Sequence, residues 1–171
     1  MRIVNVFVGA IVGLAFWYYV TPLYGQAARS LAAVAVPALF GRGYQLGGTG
    51  DVLLYTPDGL IAARVFMRFV ETNVITLIAL FAFARRPLAA SNLGRCAIGL
   101  ALMIPIHAAA ILVIAKSFVT QPGSLWRSAG QAYTIFGSHA ISFALWSLLR
   151  TAESAAESAP PSPSKRRSAA R

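Results

Sequence analysis

Apolar residues fall into blocks separated by short polar breaks, and four blocks approach the roughly 20 residues that a membrane core demands. The first covers residues 3–20, follows Arg2, and closes on Trp17, Tyr18 and Tyr19, residue types suited to the membrane–water boundary. A cleaved signal peptide would need a shorter apolar core and a small-x-small site; bulky aromatics and Thr21-Pro22 stand there instead, so the block reads as a retained span. The other blocks cover residues 66–84, 96–114 and 133–149. Pro105 lies inside the third and is expected to kink it.

Between the first two blocks the pattern changes twice. Residues 24–40 are apolar but interrupted by Gln26, Arg29, Ser30 and Pro37, while Leu31, Val34, Ala35 and Leu39 recur at helical spacing. That predicts an amphipathic helix lying on the membrane, with a fifth full span as the alternative. Residues 41–59 hold six of the 14 glycines. Within them Val52-Leu53-Leu54-Tyr55 runs into Thr56-Pro57-Asp58-Gly59, which predicts a short extended segment or hairpin. It belongs outside the membrane core, because a lipid-exposed strand edge leaves backbone groups unpaired. Residues 118–131 read as a polar connection with a turn at Gln121-Pro122-Gly123. Residues 151–171, rich in Ala, Ser, Pro and charge, read as a disordered basic tail. The expected fold class is an all-α membrane protein: about four transmembrane helices, an amphipathic helix and a short extended outer segment.

Composition agrees. The 171-residue chain is 57% hydrophobic and 12% charged, about half the roughly 25% charge of a soluble domain. The net charge of +10 comes from 15 Lys and Arg against five Asp and Glu. No basic stripe is interleaved with aromatics, so nucleic acid is not an expected partner; the bilayer is, with basic residues flanking its cytoplasmic side. Placing both termini in the cytoplasm of a bacterial-type inner membrane puts nine Lys and Arg inside and six outside. The inside set includes Arg85, Arg86 and Arg95 and the tail's Lys165-Arg166-Arg167. The single cysteine, Cys96, excludes an intrachain disulfide and a zinc site built on several cysteines. The glycine clusters lack the Gly-Lys-Ser/Thr of a phosphate-binding loop. Ala97 and Ala101 form a small-xxx-small pair suited to a helix contact.

Ionisable residues at membrane depth are the candidate chemistry. Arg64, Arg68 and Glu71 share a spacing that places all three on one helix face at the mouth of the second span. They read either as an anion or carboxylate site or as an intrahelical ion pair with one arginine snorkelling to the headgroups. His107 and His139 lie in the third and fourth spans. They suit a metal or proton site, or simple interhelical hydrogen bonds. The chain offers no third histidine, so no metal and no cofactor is expected. Cys96 follows Arg95 and has no histidine near it in this topology; it reads as a small buried residue or a lipidation target.

One layout resembles a known family. Gly43-Tyr44-Gln45-Leu46, four residues, then Asp51-Val52-Leu53-Leu54-Tyr55-Thr56-Pro57-Asp58-Gly59-Leu60 run directly into a predicted transmembrane helix. An Arg85-Arg86 loop, a span with Pro105 and a final span follow. From Tyr44 to Leu149 this resembles the core of the exosortase/archaeosortase family, membrane-embedded transpeptidases that process C-terminal sorting signals. The resemblance implies a nucleophilic cysteine near residues 68–73, where the chain reads Arg68-Phe69-Val70-Glu71-Thr72-Asn73. The family's Asn-x-x-Arg falls where His107-Ala108-Ala109-Ala110 stand, and its histidine falls near Tyr133. With those three catalytic types missing, the implied function is a non-catalytic relative or a partner of an exosortase-like enzyme in protein sorting or surface export. The alternatives are a membrane enzyme using Arg64, Arg68 and Glu71, or a small transporter subunit using His107 and His139.

Overall fold

The computed structural model describes residues 2–82 and 88–158. The Arg85-Arg86 connection and the basic end of the tail lie outside the described residues. The order is α1 (Arg2–Phe40), β1 (Gln45–Gly47), β2 (Val52–Tyr55), β3 (Ile61–Val65), α2 (Met67–Ala82), α3 (Ala90–Val119), α4 (Leu125–Ala132), a π-helical turn (Tyr133–Gly137) and α5 (Ser138–Ser158).

The first span and the expected amphipathic helix are one helix, α1, bent by 64° between Phe7–Val20 and Pro22–Phe40. Pro22 has no N–H for the carbonyl four residues back, which is why the bend falls there. The buried face of the second arm is also not the expected one. Tyr24, Ala28, Ala32 and Val36 are buried, whereas Leu31 and Val34 point outward. A row of small residues every fourth position lets the helix approach its neighbours closely, and that contact outweighs the burial of two larger aliphatics.

The extended segment is a three-stranded antiparallel meander ordered β1-β2-β3. It runs to Val65, past the expected limit at residue 59, because Ile61–Val65 pairs with β2: Val52 faces Val65, Leu53 faces Arg64 and Leu54 faces Ala63. Side chains alternate across a strand. Val52, Leu54, Ala63 and Val65 are accordingly buried, and Arg64 is turned to the other face. Arg64 therefore stands on a strand, not on a helix face shared with Arg68 and Glu71.

Two apolar clusters divide the molecule into tiers. The cap tier joins the second arm of α1, the sheet and Ala108–Ala115 of α3. The bundle tier joins Tyr24 with Val74, Leu77 and Phe81 of α2, Met103 of α3, and partly buried Ile141, Leu145 and Leu149 of α5. α3 passes through both tiers and runs unbroken through Pro105, whose ring lies on an exposed side. Its 30 residues span about 45 Å at 1.5 Å per residue, longer than a bilayer core of roughly 30 Å. The polar connection holds α4, capped by Ser124, whose hydroxyl accepts from the Arg127 N–H at 3.2 Å. The helix then bends by 66° between Leu125–Gly137 and His139–Thr151, at the π-helical turn.

By length and composition, α3 alone among the described residues suffices to cross a membrane; counting each bent pair as one span brings the number to three. α2 contributes a shorter apolar stretch, Thr72–Ala82. Its contact with α1 is close at Gly9 and Gly13, a Gly-xxx-Gly pair in the first block that corrects a reading of the spans as having no two glycines four apart. A Cβ on Gly9 would sit 2.3 Å from the Cβ of Ala82, and one on Gly13 would sit 3.3 Å from Ile75. Ala97 and Ala101, the pair singled out from sequence, are both exposed.

Candidate functional site

A cleft of about 1060 Å³ opens where the tiers meet. The bend of α1 supplies Trp17, Pro22, Gly25, Gln26 and Arg29. The β1–β2 turn supplies Gly48–Asp51, β2 and β3 supply Leu53, Ile61 and Arg64, and the start of α2 supplies Met67 and Arg68. Of the sequence candidates, Arg64 and Arg68 thus meet at one site, reached from a strand and from a helix. The Glu71 side chain lies outside the described residues.

Local structure sets each group. Gly48 has φ +100°, a left-handed conformation that glycine adopts without penalty, and its carbonyl accepts a hydrogen bond from the Arg29 guanidinium. That bond ties α1 to the turn. Asp51 follows two residues after Thr49 and binds Arg64 through one oxygen, Oδ2, at 2.8 Å from Nε and 2.6 Å from the terminal nitrogen. Arg64 also lies over the Phe66 ring at 5.0 Å. The Arg64 side chain is 60% exposed, so this pair positions more than it stabilises.

Among the described residues the lining carries three guanidinium groups and one carboxylate, a surplus of positive charge (three minus one). The Nε of one of these guanidiniums, Arg29, and the indole Nε1 of Trp17 are buried without an acceptor among the described residues. Among the described residues the lining contains no Cys, His or Ser. The arrangement is chemically suited to an acceptor-rich anionic group, and among the described residues Thr49 is its one hydroxyl. Arg29, Asp51 and Trp17 escaped the sequence reading as site residues because they lie 35, 13 and 47 residues from Arg64 and none of them is on its strand. The signal that pointed toward them was an arginine set inside an apolar helix, which is expensive unless it has a partner.

The histidines do not come together. His107, wholly buried, shares a 2.5 Å hydrogen bond with the Tyr24 hydroxyl across the tier boundary, and its Nε2 has no partner. His139 is exposed and stands 3.4 Å from the Thr76 hydroxyl. No group of three or more His, Cys, Asp or Glu suited to a metal occurs among the described residues. Cys96 is half-buried among the bundle-tier side chains. Asn73, also wholly buried, has its backbone carbonyl bound by the Ser142 hydroxyl at 2.9 Å, while its amide faces the Tyr133 hydroxyl without a well-shaped hydrogen bond.

No protein-family model, curated protein or solved structure matches the chain. Its class is defined by its own features: a mostly helical chain with one clearly apolar, membrane-length helix, a three-stranded cap and a cationic cleft between them.

Proposed function

We propose that this chain is a multi-pass inner-membrane protein without catalysis of its own, acting as a partner in an exosortase-type protein-sorting or surface-export system. The carrying observation is the path of the chain at the cleft. An extended strand, β3, leads through Phe66 into an apolar helix, α2, with Arg68 at its mouth. This is the layout on which the resemblance rests, with Arg68-Phe69-Val70-Glu71-Thr72-Asn73 in the region where the family places its nucleophile. The described lining residues, which include no Cys, His or Ser, favour recognition over bond making. Exposed Phe7, Val8, Ile11, Val12 and Leu14 on the first arm of α1 fit contact with lipid, since such a patch is costly in water. The reading places four spans across the membrane, both termini in the cytoplasm and the cap on the outer face.

Affinity purification of the tagged full chain from native membranes in mild detergent tests the reading. Enrichment of a sortase-like or export enzyme over an unrelated multi-pass control is expected. Recovery of no such partner overturns it.

A further inference from the structure

We propose that the cleft binds the phosphate group of an anionic phospholipid, with the arginines on the phosphate and the apolar wall against the glycerol and upper acyl carbons. This rests on the membrane reading above but not on the sorting role.

The argument begins with unmet donors. Trp17 Nε1 and Arg29 Nε are both buried, both belong to lining residues and both lack an acceptor. An unpaired buried donor costs about 1–3 kcal/mol, so two on residues that line one cavity favour a ligand rich in acceptor oxygens, which they meet once their side chains turn toward the cleft. Arg68 adds a further cation at the start of α2, a helix with no acidic residue in its first turn, where backbone N–H groups and the helix dipole favour an anion. A phosphate presents several oxygens in different directions and suits convergent donors from three elements.

The second half of the ligand follows from the rest of the lining. Pro22, Leu53, Ile61 and Met67 give the cleft an apolar side. Beside it Tyr18, Leu23, Leu60 and Phe66 are exposed, and α1 carries its Trp17-Tyr18-Tyr19 run at this level, the residues of a membrane boundary. A small free anion would leave this wall unused; an amphiphile uses both sides. Asp51 repels the phosphate and holds Arg64, so binding draws Arg64 away from Asp51.

The test uses the full chain in detergent, titrated with mixed micelles carrying phosphatidylglycerol, with phosphatidylcholine micelles and with inorganic phosphate, read by thermal unfolding and by native mass spectrometry. Phosphatidylglycerol is expected to raise the unfolding temperature and remain bound, and phosphatidylcholine to do so weakly. Arg68→Gln, at an exposed side chain, is expected to weaken phosphatidylglycerol binding about tenfold. Asp51→Asn is expected to tighten it severalfold, a change of opposite sign that a folding defect does not mimic. Equal stabilisation by the two lipids, or an unchanged response in Arg68→Gln, overturns the proposal. Inorganic phosphate matching phosphatidylglycerol at equal concentration overturns the lipid assignment. Release of the chain from membranes by alkaline carbonate would instead sink the membrane reading, and failure to recover a sorting partner bears on neither arm.

Discussion

Single glycines decide two contacts. At Gly48 an added Cβ would lie 2.2 Å from the Asp51 carbonyl oxygen, and φ is +100°. Gly48→Ala is therefore expected to destabilise the fold by about 1–3 kcal/mol and to loosen the turn that Arg29 holds, seen as a lower unfolding temperature in detergent. At Gly9 the neighbour is the Ala82 side chain, with the Ala79 backbone behind it. Gly9→Leu should cost about 1–3 kcal/mol by overpacking, whereas Gly94→Ala, with open space around it, should be neutral or stabilise by up to about 1 kcal/mol. Equal effects at Gly9 and Gly94 would show that α1 and α2 do not touch as described. The residue scale was partly legible in the sequence. Arg64 and Arg68 were identifiable as charges that a membrane protein must accommodate, but Arg64's partner was not, because Asp51 reaches it through strand register and not through helical spacing.

At the scale of elements, two side-chain bonds among the described residues tie α1 to α3. Lys116 near the end of α3 donates to the Leu39 carbonyl at 2.6 Å and lies over the Phe40 ring at 5.0 Å. It thus caps the last turn of α1, where carbonyls lack helical partners and the dipole favours a cation. Lys116→Ala is expected to cost about 1 kcal/mol, and Lys116→Arg to recover part of it; thermal unfolding distinguishes the two. The Tyr24–His107 pair bridges α1 and α3 at the tier boundary. Tyr24→Phe and His107→Leu should each destabilise by about 1–3 kcal/mol, and the double variant by less than their sum, since each single change strands the other's polar group. Strict additivity in that cycle would rule the bond out. Sequence placed α2 within two residues, because long apolar runs mark helices. α3, however, runs five to six residues beyond its expected limits. α5 begins five residues late and continues to Ser158, so residues 151–158, expected to be disordered, are helical. Sequence separated α1 into two elements because Thr21-Pro22 reads as a stop, whereas the chain bends there and continues. It also missed α4, whose few apolar residues resemble a polar connection.

At the scale of the molecule, topology is the property to measure. Reporter fusions in the 83–87 connection and at the C-terminus should report cytoplasm, and fusions at Gly50 and Gln121 should report the outer side. A C-terminus on the outer side would remove a span from the proposed four and put the cap and tail on one face. By itself, the sequence determined that this chain is helical and strongly apolar, that a glycine-rich extended segment precedes the second apolar block, and that its few charges gather at block ends. Those properties follow from local pattern: periodicity, turn residues and the scarcity of charge. Only the tertiary structure decided which faces are buried, that the strands run to Val65, and that Arg29, Arg64 and Arg68 converge on one cleft. Such choices depend on close approach between segments distant in the chain, where a missing Cβ or a row of alanines counts for more than the hydrophobicity of any one residue.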